Sequence, residues 1–155
     1  MAETSYGILM YRRHEGRLEV LLIHPGGPFW KNKDDGAWSI PKGGANAGEE
    51  PLQCARREFA EELGCCPPQS LIDLSPIRQK GGKIVHAWAC EGDFDPAKLK
   101  SNVFEMDWPP KSGKRAEFPE VDRCAWFDLP AARIKINAAQ AAFLDDLEKQ
   151  LDAMK

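Results

Sequence analysis

Residues 43–65 constrain this chain more than any other stretch. Three glutamates, Glu58, Glu61 and Glu62, stand three and four residues apart, which puts them on one face of a helix. A glycine-rich turn, residues 42–48, comes immediately before them. Carboxylates at this spacing repel, and an isolated helix avoids the arrangement. A divalent cation converts the repulsion into coordination, because hard cations such as Mg²⁺ take oxygen ligands. The segment therefore reads as a metal site, and Mg²⁺ sites of this kind commonly hold a phosphate chain.

The neighbouring residues supply the helix. Pro51 suits a first turn, where its missing N–H matters little. Leu52, Ala55, Phe59, Ala60 and Leu63 mark an apolar stripe, Gly64 follows as the residue past the end, and Pro67-Pro68 forbids continuation. Upstream, residues 7–11 and 18–23 read as strands joined across Glu15-Gly16 as a hairpin. Residues 25–36 are a loop, and 38–40 form a short strand feeding the glycine turn. Downstream, 71–78 and 83–90 read as strands around Lys80-Gly81-Gly82, with a further strand over 103–108. Residues 109–119 read as a polar, basic loop, 121–127 as the last strand, and 129–133 as a short helix. Asn137 and Gln140 resemble a capping box, and Phe143, Leu144, Leu147, Leu151 and Met154 give a final helix its apolar face. Strands interrupted by two main helices point to a layered α/β domain, and the length fits one domain over residues 1–155.

Composition narrows the class. A net charge of −3 argues against bulk attraction to nucleic acid or to an anionic membrane. No apolar run approaches the ~20 residues that span a bilayer. The first five residues, MAETS, lack the basic and apolar regions of a leader. Five cysteines, odd in number and without C-x-x-C spacing, fit buried free thiols in a reduced, cytoplasmic setting.

Gly43, Glu49, Arg57, Glu58, Phe59, Glu61, Glu62, Gly64 and Cys65 fall at every position of the pattern G-x5-E-x7-R-E-U-x-E-E-x-G-U, where U is apolar. The chain thus resembles the Nudix hydrolase family, with Cys65 in the last apolar slot as the mildest departure. The resemblance implies an α/β/α sandwich with a mixed β-sheet between helices. It implies that Glu58, Glu61 and Glu62 bind Mg²⁺ or Mn²⁺ directly or through water, with one of them available as general base. Glu58 and Glu62 are the firmest ligands, the carbonyl of Gly43 is a further one, and Arg57 and Glu49 orient the set. Members often recruit one more glutamate from a later loop, here Glu120 first and Glu117 second. The implied reaction hydrolyses a pyrophosphate bond in a nucleoside diphosphate linked to another group, with no covalent intermediate.

Outside the motif, Lys42, Lys83 and Arg115 are candidates for phosphate contact. Tyr6, Trp88, Trp108 and Phe118 are candidates for stacking on a base. His14, His24 and His86 show no metal spacing. Residues 38–43 (WSIPKG) and 83–88 (KIVHAW) resemble the branch that hydrolyses diadenosine polyphosphates. The expected partner is accordingly a small nucleotide or polyphosphate, a dinucleoside polyphosphate or a nucleoside triphosphate. Two other readings stay open. A nucleotide-sensing domain that binds without cleaving would have lost motif glutamates, and all are present. An RNA 5′-end pyrophosphohydrolase would show a wide basic face, for which only residues 111–115 speak.

Overall fold

A computed structural model describes residues 3–155; Met1 and Ala2, which open the segment read as lacking a leader, lie outside the described residues. The framework is a mixed sheet built around β1 (Thr4–His14). β2 (Arg17–Pro25) returns antiparallel through the expected Glu15-Gly16 turn, both residues having positive φ (51° and 77°), as a tight hairpin requires. β6 (Ile84–Glu91) runs parallel to β1 on its other side, and β9 (Val121–Asp128) lies antiparallel to β2. Two-residue strands β4 (Ile72–Asp73) and β5 (Ile77–Arg78) pair with β6. The sequence reads 71–78 as one strand; only its two ends pair.

Alternation along β1 and β2 explains why both read as unbroken apolar runs. Ile8, Met10, Leu21 and Ile23 face one layer, while Leu9, Tyr11, Val20 and Leu22 face the other, so both sheet faces are covered. The first layer is α1 (Pro51–Leu63), which buries Cys54, Ala55, Phe59 and Leu63. The second is α2 (Leu129–Lys135) with α3 (Ala141–Ala153), burying Ala132, Phe143, Leu144 and Leu147. Complete burial of a ring such as Phe59 contributes on the order of 3 kcal/mol. This is the expected α/β/α sandwich. Among the described residues no helix is long and apolar enough to cross a membrane.

Four expectations need correction. Residues 38–40 make only isolated bridges, Ile23 to Ser39 and Trp38 to Ile136. The strand of this region is β3 (Lys42–Gly44), inside what reads as the glycine turn, and it pairs antiparallel with Ser5–Gly7 of β1. Residues 115–119 are likewise not loop: β8 (Arg115–Pro119) pairs with β7 (Val103–Asp107) in a separate two-stranded ribbon. Finally, Asn137 accepts from the Ala139 N–H (3.0 Å) at a short 3₁₀ turn, but Gln140 turns inward instead of closing a capping box. Among the thiols, Cys54, Cys90 and Cys124 are buried, Cys65 is half-buried and Cys66 is exposed.

Helix α1 ends where Gly64 adopts the left-handed region (φ 87°) and its N–H bonds to Ala60 O at 2.8 Å. A Cβ there would sit 2.7 Å from the Lys100 carbonyl oxygen. Gly64→Ala should therefore cost about 1–3 kcal/mol of stability, read as a lowered urea midpoint with an unchanged slope.

Candidate active site

Backbone geometry brings the acidic face of α1 against β3. Gly43 lies so close to the Glu58 carboxylate that a Cβ on Gly43 would collide with it. A side chain at position 43 would push the Glu58 carboxylate aside, so glycine keeps the backbone and this carboxylate together. One turn further along α1, Glu62 is 9% exposed and shares a cleft of about 290 Å³ with Lys42 and Glu120. Its Oε2 is buried and has no hydrogen-bond partner among the described residues. Burial, then the neighbouring Glu58 charge, raises the Glu62 pKa to about 8, against the pull of the Lys42 N–H and ammonium. Burial also raises Glu58, helped by Glu61 and opposed by Arg57. Lys42 moves the other way, lowered by burial and by Lys83, with Glu62 and Glu58 partly compensating.

Arg57 is the hub of this face. Its Nε and Nη2 donate to Glu49 at 2.8 and 3.0 Å, its Nη1 to Glu58 and Glu61 at 3.1 and 3.0 Å, and its Nη2 also to the Gly44 carbonyl at 3.0 Å. The forked pair with Glu49, together with the Asn46 N–H, holds that carboxyl down at about 2. The orienting pair expected from the sequence is thus present, and Glu61 belongs to it as much as to the face shared by Glu58 and Glu62.

The remaining expected residues divide. Glu120 joins the cleft, where burial and then Glu61 raise its pKa. Glu117 does not: it is exposed on β8 opposite Glu105. Lys83 stands near Lys42 but borders a different depression, with Ser5 and Gly44. Arg115 is a correction. It lies at the far end of the ribbon, 60% exposed, beside Glu105 and Asp107 at 3.7 Å each, because β8 carries it away from the cleft. Trp88 does not line this cleft: it stacks on His86 (4.2 Å between centroids) beside Tyr6 on the α1 side of the sheet.

Sequence reasoning missed three cleft residues. Trp30 projects from the 25–36 loop. Gln140, 1% exposed, accepts from the Ile40 N–H (3.1 Å) and donates to Ser39 Oγ (3.0 Å) and Gln79 Oε1 (3.2 Å). Gln79 itself is the third. The available signal was a glutamine at a position that the apolar spacing of α3 would place inside.

Whether these groups suit a divalent cation can be judged from the chain itself. Among the described residues no cluster of three or more His, Cys, Asp or Glu side chains is already gathered around one point. Glu58 and Glu62 nevertheless supply hard oxygens, the Gly43 backbone lies against the Glu58 carboxylate, and the orphaned Glu62 oxygen needs a positive partner. The donor set fits.

The NUDIX domain profile matches residues 1–147. The chain belongs to the Nudix family. A curated relative, an RNA pyrophosphohydrolase from Bartonella henselae, is 29% identical across 81% of this chain and 75% of its own length. A second, an octanoyltransferase from Myxococcus xanthus, is 34% identical across 85% of the chain, which spans only 32% of that longer protein. In three dimensions, a C. elegans Ap4A hydrolase superposes with a TM-score of 0.67 at 21% identity, covering 96% of this chain and 98% of its own, which establishes the shared fold. With its family and relatives, this Nudix chain is a pyrophosphohydrolase, and Nudix enzymes generally use divalent metal ions.

The raised Glu62 pKa has a consequence for stability. The folded state holds this proton more tightly than the unfolded chain, so Glu62 lowers stability as pH rises from about 4.5 towards about 8. In metal-free protein, Glu62→Gln should melt higher than the parent at neutral pH, with the gap widening between those limits and absent near pH 4. Scanning calorimetry across that range checks it.

Proposed function

We propose that the chain, acting as one Nudix domain over residues 1–155, hydrolyses a pyrophosphate bond in a nucleoside-bearing polyphosphate with help from Mg²⁺ or Mn²⁺. The observation that carries this reading is the buried, unpartnered Glu62 oxygen in a cleft it shares with a cation, Lys42, and a second carboxylate, Glu120. Glu58, Glu62 and the Gly43 carbonyl would hold the ion. When bound, such an ion neutralises phosphate charge and acidifies a coordinated water.

The side chains have separable tasks. Arg57 fixes Glu58 and Glu61 through one nitrogen and anchors itself on Glu49, so the acidic face keeps its shape without substrate. Lys42, partly desolvated, faces the cleft and binds phosphate oxygens; charge building on the leaving phosphate strengthens that contact. Water attacks phosphorus, the bridging P–O bond breaks, and the departing phosphate carries away the electron pair. The water's proton needs a carboxylate outside the Arg57 cluster, and Glu120 meets that condition. Trp30 and the amide of Gln79, which Gln140 holds in place, are suited to a base, which offers a flat face and polar edges.

A dinucleoside polyphosphate is the first choice of substrate, on the WSIPKG and KIVHAW stretches and the fold shared with an Ap4A hydrolase. A second reading, a 5′-triphosphorylated RNA end, is supported by the RNA pyrophosphohydrolase relatives.

Chelation should abolish phosphate release, and Mg²⁺ or Mn²⁺ should restore it; a chelator-resistant rate would count against the mechanism. Glu62→Gln should lower turnover by ~100-fold or more with the fold intact by circular dichroism. Initial rates on a panel of diadenosine polyphosphates, nucleoside triphosphates, nucleotide sugars and triphosphorylated RNA should rank the diadenosine compounds near the top. A place near the bottom would reject the substrate choice.

A further inference from the structure

Across the 25–33 loop from the cleft lies a second groove, of about 540 Å³, within the ~300–1,000 Å³ usual for small-molecule sites. Lys31 and Asn32 line it from the loop, Trp108, Phe118 and Pro119 from the ribbon, and Asp122 from β9. The two depressions share their dividing wall. The loop gives Pro25 and Trp30 to the cleft but Gly27 and Pro28 to the groove. At the end of the ribbon, Glu120 faces the cleft and its neighbour Pro119 faces the groove.

This wall is held on several sides. The Gly26 N–H donates to the Glu120 carbonyl at 2.9 Å. A Cβ on Gly26 would strike the Pro119 carbonyl, and one on Gly27 would stand 2.9 Å from the Phe104 ring. Fully buried His24 ties the far side, with Nδ1 2.8 Å from Asp122 Oδ1 and Nε2 2.7 Å from the Lys33 carbonyl. Phe29, 58% exposed, meets Trp108 edge-on at 5.6 Å between centroids.

We propose that this groove seats the second nucleoside of a dinucleoside polyphosphate, with Trp108 and Phe118 forming the surface on which its base rests. The inference builds on the hydrolase reading above and adds the distal half of the substrate. The acidic groups Glu62 and Glu120 line the first depression together with Trp30, and the groove with its two rings opens across the wall that Glu120 and Pro119 share, so a polyphosphate seated at the acidic groups can carry a base on each side of that wall. Aromatic faces with a lysine and an amide beside them suit a flat heterocycle with polar edges. A nucleoside triphosphate would leave the groove empty. An RNA strand would lay phosphodiesters beside a ribbon carrying Glu105, Asp107 and Glu117 around Arg115, an unfavourable surface for a polyanion.

The test is equilibrium binding by calorimetry with Mg²⁺ present. The probes are a methylene-bridged, non-hydrolysable diadenosine tetraphosphate, adenosine 5′-tetraphosphate and a 5′-triphosphorylated trinucleotide. Wild-type protein should prefer the dinucleoside over the mononucleoside by ~10-fold or more, the scale of one stacked base. Trp108→Leu should erase that preference and Trp108→Phe should restore most of it. Phe118→Leu serves on the other ring should the Trp108 variants fail to fold. Equal binding of the two adenosine compounds by wild type overturns the proposal. So does a preference that survives Trp108→Leu, or a Trp108 effect confined to the RNA probe. Failure of wild type to bind any of the three would instead reject the hydrolase reading itself.

Discussion

One guanidinium organises the acidic face on which everything else depends. Without Arg57, helix α1 would carry Glu58, Glu61 and Glu62 within a turn of one another with nothing but water to separate their charges. The Arg57 side chain meets Glu49, Glu58 and Glu61 at once and reaches the Gly44 carbonyl. Glu49 belongs to the segment before the helix and Gly44 to a strand, so the same contact fastens α1 to β3. A lysine could not reproduce this, because its ammonium lacks the planar fork that engages a carboxylate through two nitrogens. Arg57 reaches only part of the face. Glu62 points away from it into the cleft, only partly compensated by Lys42, and that residual frustration makes it the leading candidate for a functional group.

The legible parts of this structure were those governed by local rules. Helix α1, its proline start and its glycine stop could be read from spacing alone, because each signal acts within a turn of its own position. Strands β1, β2, β6 and β9 declared themselves by apolar runs long enough to be covered on two faces. The acidic constellation was legible for the same reason as the helix: positions 58, 61 and 62 are neighbours in space whatever surrounds them. Glu120, expected as a late-loop carboxylate, sits between two strands and lines the cleft.

What escaped was decided by distant partners. Residues 42–44 contain two glycines and no strand-forming residue, yet they pair with β1 because its edge is open there. Residues 115–119, read as the end of the basic loop before them, form a strand by lying against 103–107. That pairing carried Arg115 away from the cleft. Where Trp88 sits could not be read, because aromatic character does not say which sheet face a residue takes, and the register with β1 put it beside Tyr6 and His86. Gln140 looked like helix punctuation. Its role came from Ser39 and Ile40, a hundred positions away in sequence.

The edge of β1 is divided. Its first residues pair with β3 and its last with β2, on the same side. The turn bearing Gly43 is therefore stitched into the central sheet and not draped over it as a surface loop. A draped loop would breathe independently, exchanging its amides through small local openings. Stitched in, this segment belongs to the same cooperative unit as the core strands. The acidic face of α1 thus rests against a segment tied into the central sheet, and whatever suppleness ligand entry demands must be found in the segments around 25–33 and in the outlying ribbon.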